Sequence, residues 1–554
     1  MIFEFVFSAS KAISCNNGFI SILHTKAQNR ALRFADKFQN SQNNTLYSFF
    51  IDCDPKDALD FADEISKTLP SSIWFNFIEL KNPENPGIKK WHKVSTRSVD
   101  FLDVLTTKDI LDSQSSKFCD VFKWVKSIEF LGKPIDDVFS LKHSLKDIAT
   151  RLKNAESVNI KTSRGIKELS INSKTSDVMF WDISNLFTYM RVDRIQSEVL
   201  ASYEKPKMKL CPKEVFTPSL LQSEENFELK ASLPFDLVLS LLGIFALELE
   251  IGYVFLKDVK KSQICLSYEC YNIAKEQEIV VSKDGIIIDT TISKKSKSIL
   301  DIIDKHFEDE IPKKNTHSDE LNGYSKKSTP PLNHQKLIVF LSKTHPTNIL
   351  IKDDKNIKSL FPIQYDNNPK NILDNIKKNY KSGDKLIANF EKTFPNLFSA
   401  INSLSDNPSE TNNLIDIFSS ASYILGYTSE FNTKNEKILN NAKKFLRDKG
   451  PRIDFKLQKI GDEVCLDYPK ILRSSMSFRI AGLDEATLSY GFVDSMAEFL
   501  GNFVRDATMN FNIKRILICG NMLDEKIFLD KILHYLPKNI DLMLPKEGYI
   551  DYKS

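Results

Sequence analysis

The residues with the clearest capacity for chemistry lie near the end of the chain. There a short β-branched run, Ile513-Lys514-Arg515-Ile516-Leu517-Ile518-Cys519, breaks at Gly520-Asn521 into a helical pattern from Asp524 to Leu536. A glycine where a buried strand meets a helix lets backbone approach whatever sits at the helix N-terminus, and the free N–H groups there favour an anion. The same Gly520 could equally close an αL turn, so both readings stand. A second candidate is Thr162-Ser163-Arg164-Gly165, which follows Val158-Asn159-Ile160. Two hydroxyls, a guanidinium and a glycine could cradle a phosphate, or could close a surface turn. Thr162, Ser163, Arg164, Gly520 and Asn521 are therefore the candidate nucleotide-binding residues.

Other chemistries find little support. None of the eight histidines pairs at i, i+3 or i, i+4, the spacing that aims two imidazoles from one helix at a metal, so no metal site is expected. The eight cysteines are scattered, with only Cys265 and Cys270 close, which is neither a zinc set nor a disulfide framework. That usage fits a reducing cytoplasm. No Walker loop, G-x-G-x-x-G or G-x-S-x-G occurs, and the chain holds only 17 glycines for close backbone approach. The net charge is only +3, and the aromatics fall at core spacing rather than among cations, which argues against nucleic acid. No arginine lies between Arg194 and Arg447, so the middle of the chain lacks the usual fork for phosphate.

The elements that must position these residues are mixed. Strand patterns at 48–52, 72–77, 177–181, 265–271, 278–291, 336–341 and 348–352 alternate with helical ones at 56–68, 135–152, 233–256, 369–379, 383–394, 412–425 and 486–504. Leu237 to Leu247 is the most apolar segment. It is too short to span a bilayer and reads as a buried helix. The run Ile2 to Phe7 has no preceding cation and contains Glu4, which excludes a signal peptide. Glu308 to Gln335 is polar and without periodicity, as expected of a solvated linker. Prolines at 206, 212 and 218 mark a softer boundary. The expected division is an N-terminal α/β domain at 1–215, a further region at 216–307, the linker at 308–335 and a C-terminal domain at 336–554. The fold class is α/β (α+β), multidomain.

The C-terminal third also carries a resemblance. Ile417-Phe418-Ser419-Ser420-Ala421-Ser422-Tyr423-Ile424-Leu425-Gly426, then Asn435 to Ala442, then the approach to Cys519-Gly520-Asn521, is similar to the end of HypF-type hydrogenase-maturation carbamoyltransferases. The resemblance implies a YrdC-like N-terminal domain at 1–215 followed by an ASKHA-type (actin-like ATPase) domain, its first part at 216–307 and its C-terminal subdomain at 336–554. Thr162-Ser163 and Glu204-Lys205-Pro206 fall where the YrdC-like part would end. It places the chain's nearest kin among accessory proteins of membrane-bound nickel-iron uptake hydrogenases.

The departures from the family pattern are specific. Its Gly-Gly appears as Gly520-Asn521, its later Asn as Glu525, and its closing acidic-Gly loop as Glu547-Gly548-Tyr549. Its metal-binding histidines and its N-terminal acylphosphatase-like and Cys-x-x-Cys modules find no counterpart in the sequence. The resemblance therefore implies a HypF-like scaffold with degenerate catalytic motifs, acting in the cytoplasm by holding a hydrogenase subunit or another maturation protein. The alternatives are a working carbamoyltransferase using ATP with magnesium, in which Gly520 meets the nucleotide and Thr162, Ser163 and Arg164 hold a carbamoyl-adenylate, or an unrelated α/β interaction scaffold.

Overall fold

The computed structural model describes residues 1–9, 17–40, 45–88, 90–92, 121–122, 125–222, 227–260, 263–271, 273–290, 296–307, 335–353, 356–431, 436–460, 463–545 and 548–553. The polar segment 308–334, with His317 and His334, lies outside the described residues, as do Asn435 and Glu547. Two compact units, Met1–Ile279 and Val280–Ser554, make up the chain.

The first unit opens with β1 (Ile2–Ala9), α1 (Asn17–Asn29), β2 (Arg33–Asn40), β3 (Thr45–Asp52), α2 (Pro55–Thr68) and β4 (Phe75–Lys81). The sheet runs β2-β3-β1-β4, which is the split βαββαβ arrangement. The apolar run at the N-terminus is thus the central strand of a small module. Phe5, Phe7, Phe34, Tyr47, Phe49 and Phe61 fill its core. This compact α/β module spans Ile2 to Lys81. Degenerate βαββαβ sequences hide easily, because nothing but alternation marks their strands. Asp54 starts α2 by accepting the Asp57 N–H, with Pro55 pre-set for the first turn.

The rest of the first unit is one mixed sheet. Its strands of four residues or more are β5 (Val125–Phe130), β6 (Val158–Thr162), β7 (Gly165–Ser170), β8 (Asp177–Phe180), β9 (Lys207–Pro212), β10 (Leu229–Ser232), β11 (Tyr253–Asp258), β12 (Leu266–Cys270) and β13 (Glu278–Val281), the last running past the end of the unit. They lie in the order β13-β9-β10-β8-β11-β7-β6-β12-β5. Two helices, α3 (Val138–Lys153) and α4 (Leu237–Glu248), pack against this sheet around Trp181 and Tyr268. Helix α4 is apolar on every side and buried along nearly its length, as its composition requires. Asp236 caps it by accepting the Leu239 N–H.

In the second unit, α5 (Ile299–Phe307) precedes a five-stranded sheet of β14 (Lys336–Phe340), β15 (Asn348–Lys352), β16 (Ile357–Ser359), β17 (Arg515–Cys519) and β18 (Asp541–Met543). The order is β16-β15-β14-β17-β18, with an antiparallel meander on one side and two parallel strands on the other. Strands β14 and β17 are buried on both faces. Leu337, Val339, Ile516 and Ile518 join the main core, while Ile338, Phe340, Leu517 and Cys519 meet Ile302, Ile303 and Phe307. This is why neither strand shows alternation in sequence. Helices α6 (Pro369–Asn379), α7 (Lys437–Lys444), α8 (Glu485–Asn510) and α9 (Lys526–Tyr535) supply the main core's other wall. Among the described residues, no helix is long and apolar enough to cross a membrane.

Candidate functional site

The parallel strands β14 and β17 end side by side, Phe340 opposite Cys519. Each then turns sharply, into Leu341–Thr347 and into Gly520–Glu525. Leu341 donates its N–H to the Cys519 carbonyl (2.9 Å), and Met522 donates to the Leu341 carbonyl (3.0 Å). Gly520 has φ +105°, and a Cβ there would lie 2.0 Å from the Leu341 oxygen. A side chain is excluded by the chain's own backbone, so this glycine is required by strand packing before any ligand is considered.

The place at which a bound anion would meet the turn is taken by a carboxylate of the chain itself. Asp551, fully buried, accepts the Asn521 N–H (3.2 Å) and the Ser342 hydroxyl (2.8 Å) through Oδ2. Its Oδ1 accepts the Tyr552 N–H (2.7 Å) and lies 3.3 Å from His345 Nδ1. The Asn521 side chain folds inward, its Oδ1 accepting the Lys343 N–H at 2.7 Å. Asn413 secures the facing turn by donating to the Ser342 carbonyl (3.0 Å).

Beside this knot sits a buried triad of charges. Glu525 is 1% exposed and contacts Lys343 Nζ and Lys443 Nζ, each at 2.7 Å. Glu436 adds a contact of 3.4 Å to Lys343. Burial alone would depress the Lys343 ammonium, but Glu525 and then Glu436 outweigh it and raise its pKa. Glu525 precedes α9, yet its carboxylate makes no helix cap and is directed to the lysines. Two cations that could meet a phosphate are thus neutralised from within.

In the first unit, Thr162–Gly165 is a tight turn joining β6 to β7. Thr162 Oγ1 donates to the Gly165 carbonyl (2.9 Å) and accepts the Arg164 N–H (3.0 Å). Ser163 Oγ accepts the Cys270 N–H at 2.8 Å. Arg164 is turned inward, and its guanidinium donates to the carbonyls of Ala274 (3.0 Å), Lys205 (3.0 Å) and Glu204 (2.8 Å). It also lies over the Phe235 ring, 4.5 Å from the centroid. Burial lowers its pKa to about 10, with Glu276 and Asp236 opposing the shift. The turn is a structural rivet. It holds the Glu204-Lys205 corner, where Glu204 accepts the Ser72 hydroxyl and the Ile73 N–H, tying the small module to the large sheet. Lys205 is buried, donates to the Ala201 carbonyl (2.6 Å), and has its pKa pushed down to about 8 by burial.

Of the residues expected from sequence, Thr162, Ser163 and Arg164 come together in the first unit and Gly520 and Asn521 in the second. All five spend the contacts described above on the chain itself. Asp551 and the lysine partners of Glu525 were not foreseen, since they converge from segments far apart. The one signal in the sequence was Glu525, a negative charge in a turn where phosphate would need the opposite.

No family model matches the chain. In fold it is like HypF. The crystal structure of full-length HypF in the phosphate- and nucleotide-bound form aligns with a TM-score of 0.54 at 12% identity, covering 99% of this chain and 97% of that one. The crystal structure of T. kodakarensis HypF aligns with a TM-score of 0.56 at 12% identity, covering 98% and 95%. In sequence the chain is similar to Protein HydE of Wolinella succinogenes, 29% identical over 554 residues, covering 96% of this chain and 97% of the relative. The resemblance to the HypF-type family, and within it to HydE, therefore extends along nearly the whole chain.

Proposed function

We propose that this protein is an accessory factor in the maturation of a nickel-iron hydrogenase, acting by binding a hydrogenase subunit or another maturation protein rather than by group transfer. The first unit is read as carrying a YrdC-like domain and the second as a reduced ASKHA-type domain. The meander continued by two parallel strands supports the latter, and the likeness to HydE and HypF over nearly the full chain supports the pathway. A cytoplasmic site of action follows from that pathway.

The observation that carries the non-catalytic reading is Asp551. A buried carboxylate accepts from Asn521 and Ser342 where an anionic ligand would otherwise accept. An incoming phosphate would have to displace it against like charge, and Glu525 holds Lys343 and Lys443 away from the task. Titration calorimetry of the purified chain with ATP and magnesium tests this. The reading expects no binding tighter than about 1 mM, and micromolar binding with turnover of carbamoyl phosphate would replace it with the carbamoyltransferase reading.

A further inference from the structure

The small N-terminal module brings together three residues that no sequence spacing connects. His24 lies on α1, Asp36 on β2, and His92 in a segment held to β2 by its N–H bond to the Phe34 carbonyl (2.8 Å). His24 Nε2 is 3.1 Å from Asp36 Oδ2, and His92 Nε2 is 2.9 Å from Asp36 Oδ1. One ligand atom from each residue lies within 4.8 Å of the other two. We propose that His24, Asp36 and His92 form a binding site for a divalent first-row transition ion of the zinc type.

The donor set sets the class of ion. Two imidazole nitrogens with one carboxylate suit zinc, nickel, cobalt or ferrous iron, whereas calcium and magnesium call for a shell of oxygens. Zinc bonds of about 2.0–2.1 Å in a tetrahedron separate neighbouring ligand atoms by about 3.3 Å; here the two imidazole nitrogens flank the Asp36 carboxylate, one on each oxygen, and all three groups lie within 4.8 Å of one another, near enough to converge on one ion. Three protein ligands leave one position open for water or a further group.

The surroundings hold the ligands in place. The His92 ring stacks on Phe34 with centroids 4.8 Å apart, and His24 lies 5.0 Å from the same ring. Phe34 and Tyr47 beneath are fully buried, and Tyr47 donates its hydroxyl to Asp36 Oδ2 at 3.1 Å. A hydrogen-bonded outer partner of this kind fixes a ligating carboxylate. Entry is available from solvent, since the His92 side chain is 44% exposed. The alternative is a pair of His–Asp hydrogen bonds that only staple α1 and residue 92 to the sheet. This proposal stands apart from the maturation reading and survives or falls without it.

The test is calorimetric titration of the chelator-treated full chain with Zn²⁺ alone, in wild type and in His92→Ala and Asp36→Asn. His92 is exposed enough that His92→Ala should fold, which circular dichroism checks. The expected result is one site of micromolar affinity or better, weakened at least tenfold in each variant. Cobalt added instead should give a visible d–d band without a thiolate charge-transfer band, and His92→Ala should lose it. A Zn²⁺ isotherm unchanged by His92→Ala, or no site tighter than about 100 μM in wild type, would overturn the proposal and leave the cluster as hydrogen-bonded staples.

Discussion

Replacing Gly520 by alanine should destabilise the second unit whether or not any nucleotide is present. The backbone at this residue has φ +105° and ψ 150°, a region that is nearly exclusive to glycine. Holding a side-chain-bearing residue there costs about 1–3 kcal/mol. The added Cβ would also sit 2.0 Å from the Leu341 oxygen and 2.4 Å from its carbonyl carbon, both backbone atoms of the neighbouring strand's end. Relief requires β14 and β17 to part by an ångström or more, and overpacking of this kind costs about 1–3 kcal/mol. The sum, roughly 2–6 kcal/mol, is a large share of the 5–15 kcal/mol that typically separates folded from unfolded chains. Urea unfolding followed by circular dichroism should show the loss, accompanied by a fall in melting temperature of about 5 °C or more. An alanine variant within about 0.5 kcal/mol of wild type would refute the packing argument. Loss of ATP binding in such a variant would instead assign the glycine to a ligand.

Two further substitutions test the buried charges. Glu525→Ala leaves Lys343 and Lys443 facing each other without their shared carboxylate, and should cost about 3 kcal/mol in urea unfolding; a cost below about 0.5 kcal/mol would mean the lysines are solvated. Asp236 is buried, and burial raises its pKa to about 6, opposed by the Leu239 N–H and the Tyr268 hydroxyl. The folded state then holds a proton that the unfolded state has released between about pH 4 and pH 6, so this group's contribution is present below pH 4 and lost as pH rises through 6. Asp236→Asn keeps the cap and removes the titration. Its stability relative to wild type should therefore climb by about 3 kcal/mol from pH 4 to pH 7, and a flat difference across that range would contradict the assignment.

Much of the second unit was legible because its signals are local. The helix expected at 369–379 matches Pro369–Asn379, the strand at 348–352 matches Asn348–Lys352, and the terminal strand is found at Arg515–Cys519. The helix expected from Asp524 to Leu536 is found at Lys526–Tyr535, preceded by a short 3-10 turn at Asn521–Asp524, because Glu525 takes an extended backbone conformation between them. The strand pattern at 278–291 is interrupted by a turn at Asp284-Gly285, with Gly285 at φ +79°. What escaped was non-local. Arg164, expected in a phosphate cradle or a surface turn, is drawn inside by three carbonyls, two of them about 40 residues away. Asp551 meets Ser342 across 209 positions. His24, Asp36 and His92 come from a helix, a strand and a connecting segment, so a search for paired histidines on one helix passes over them. Periodicity reports which face of an element is buried. It carries no record of which charges meet once the elements pack.

The central claim is that hydrogenase assembly depends on this protein as a binding partner. Hydrogen uptake in a strain deleted for its gene, measured beside the level of the hydrogenase polypeptides, tests that claim most directly. The account predicts that the polypeptides are made but remain inactive or incompletely matured, and that the intact gene restores uptake. Normal hydrogen uptake in the deletion strain would contradict it.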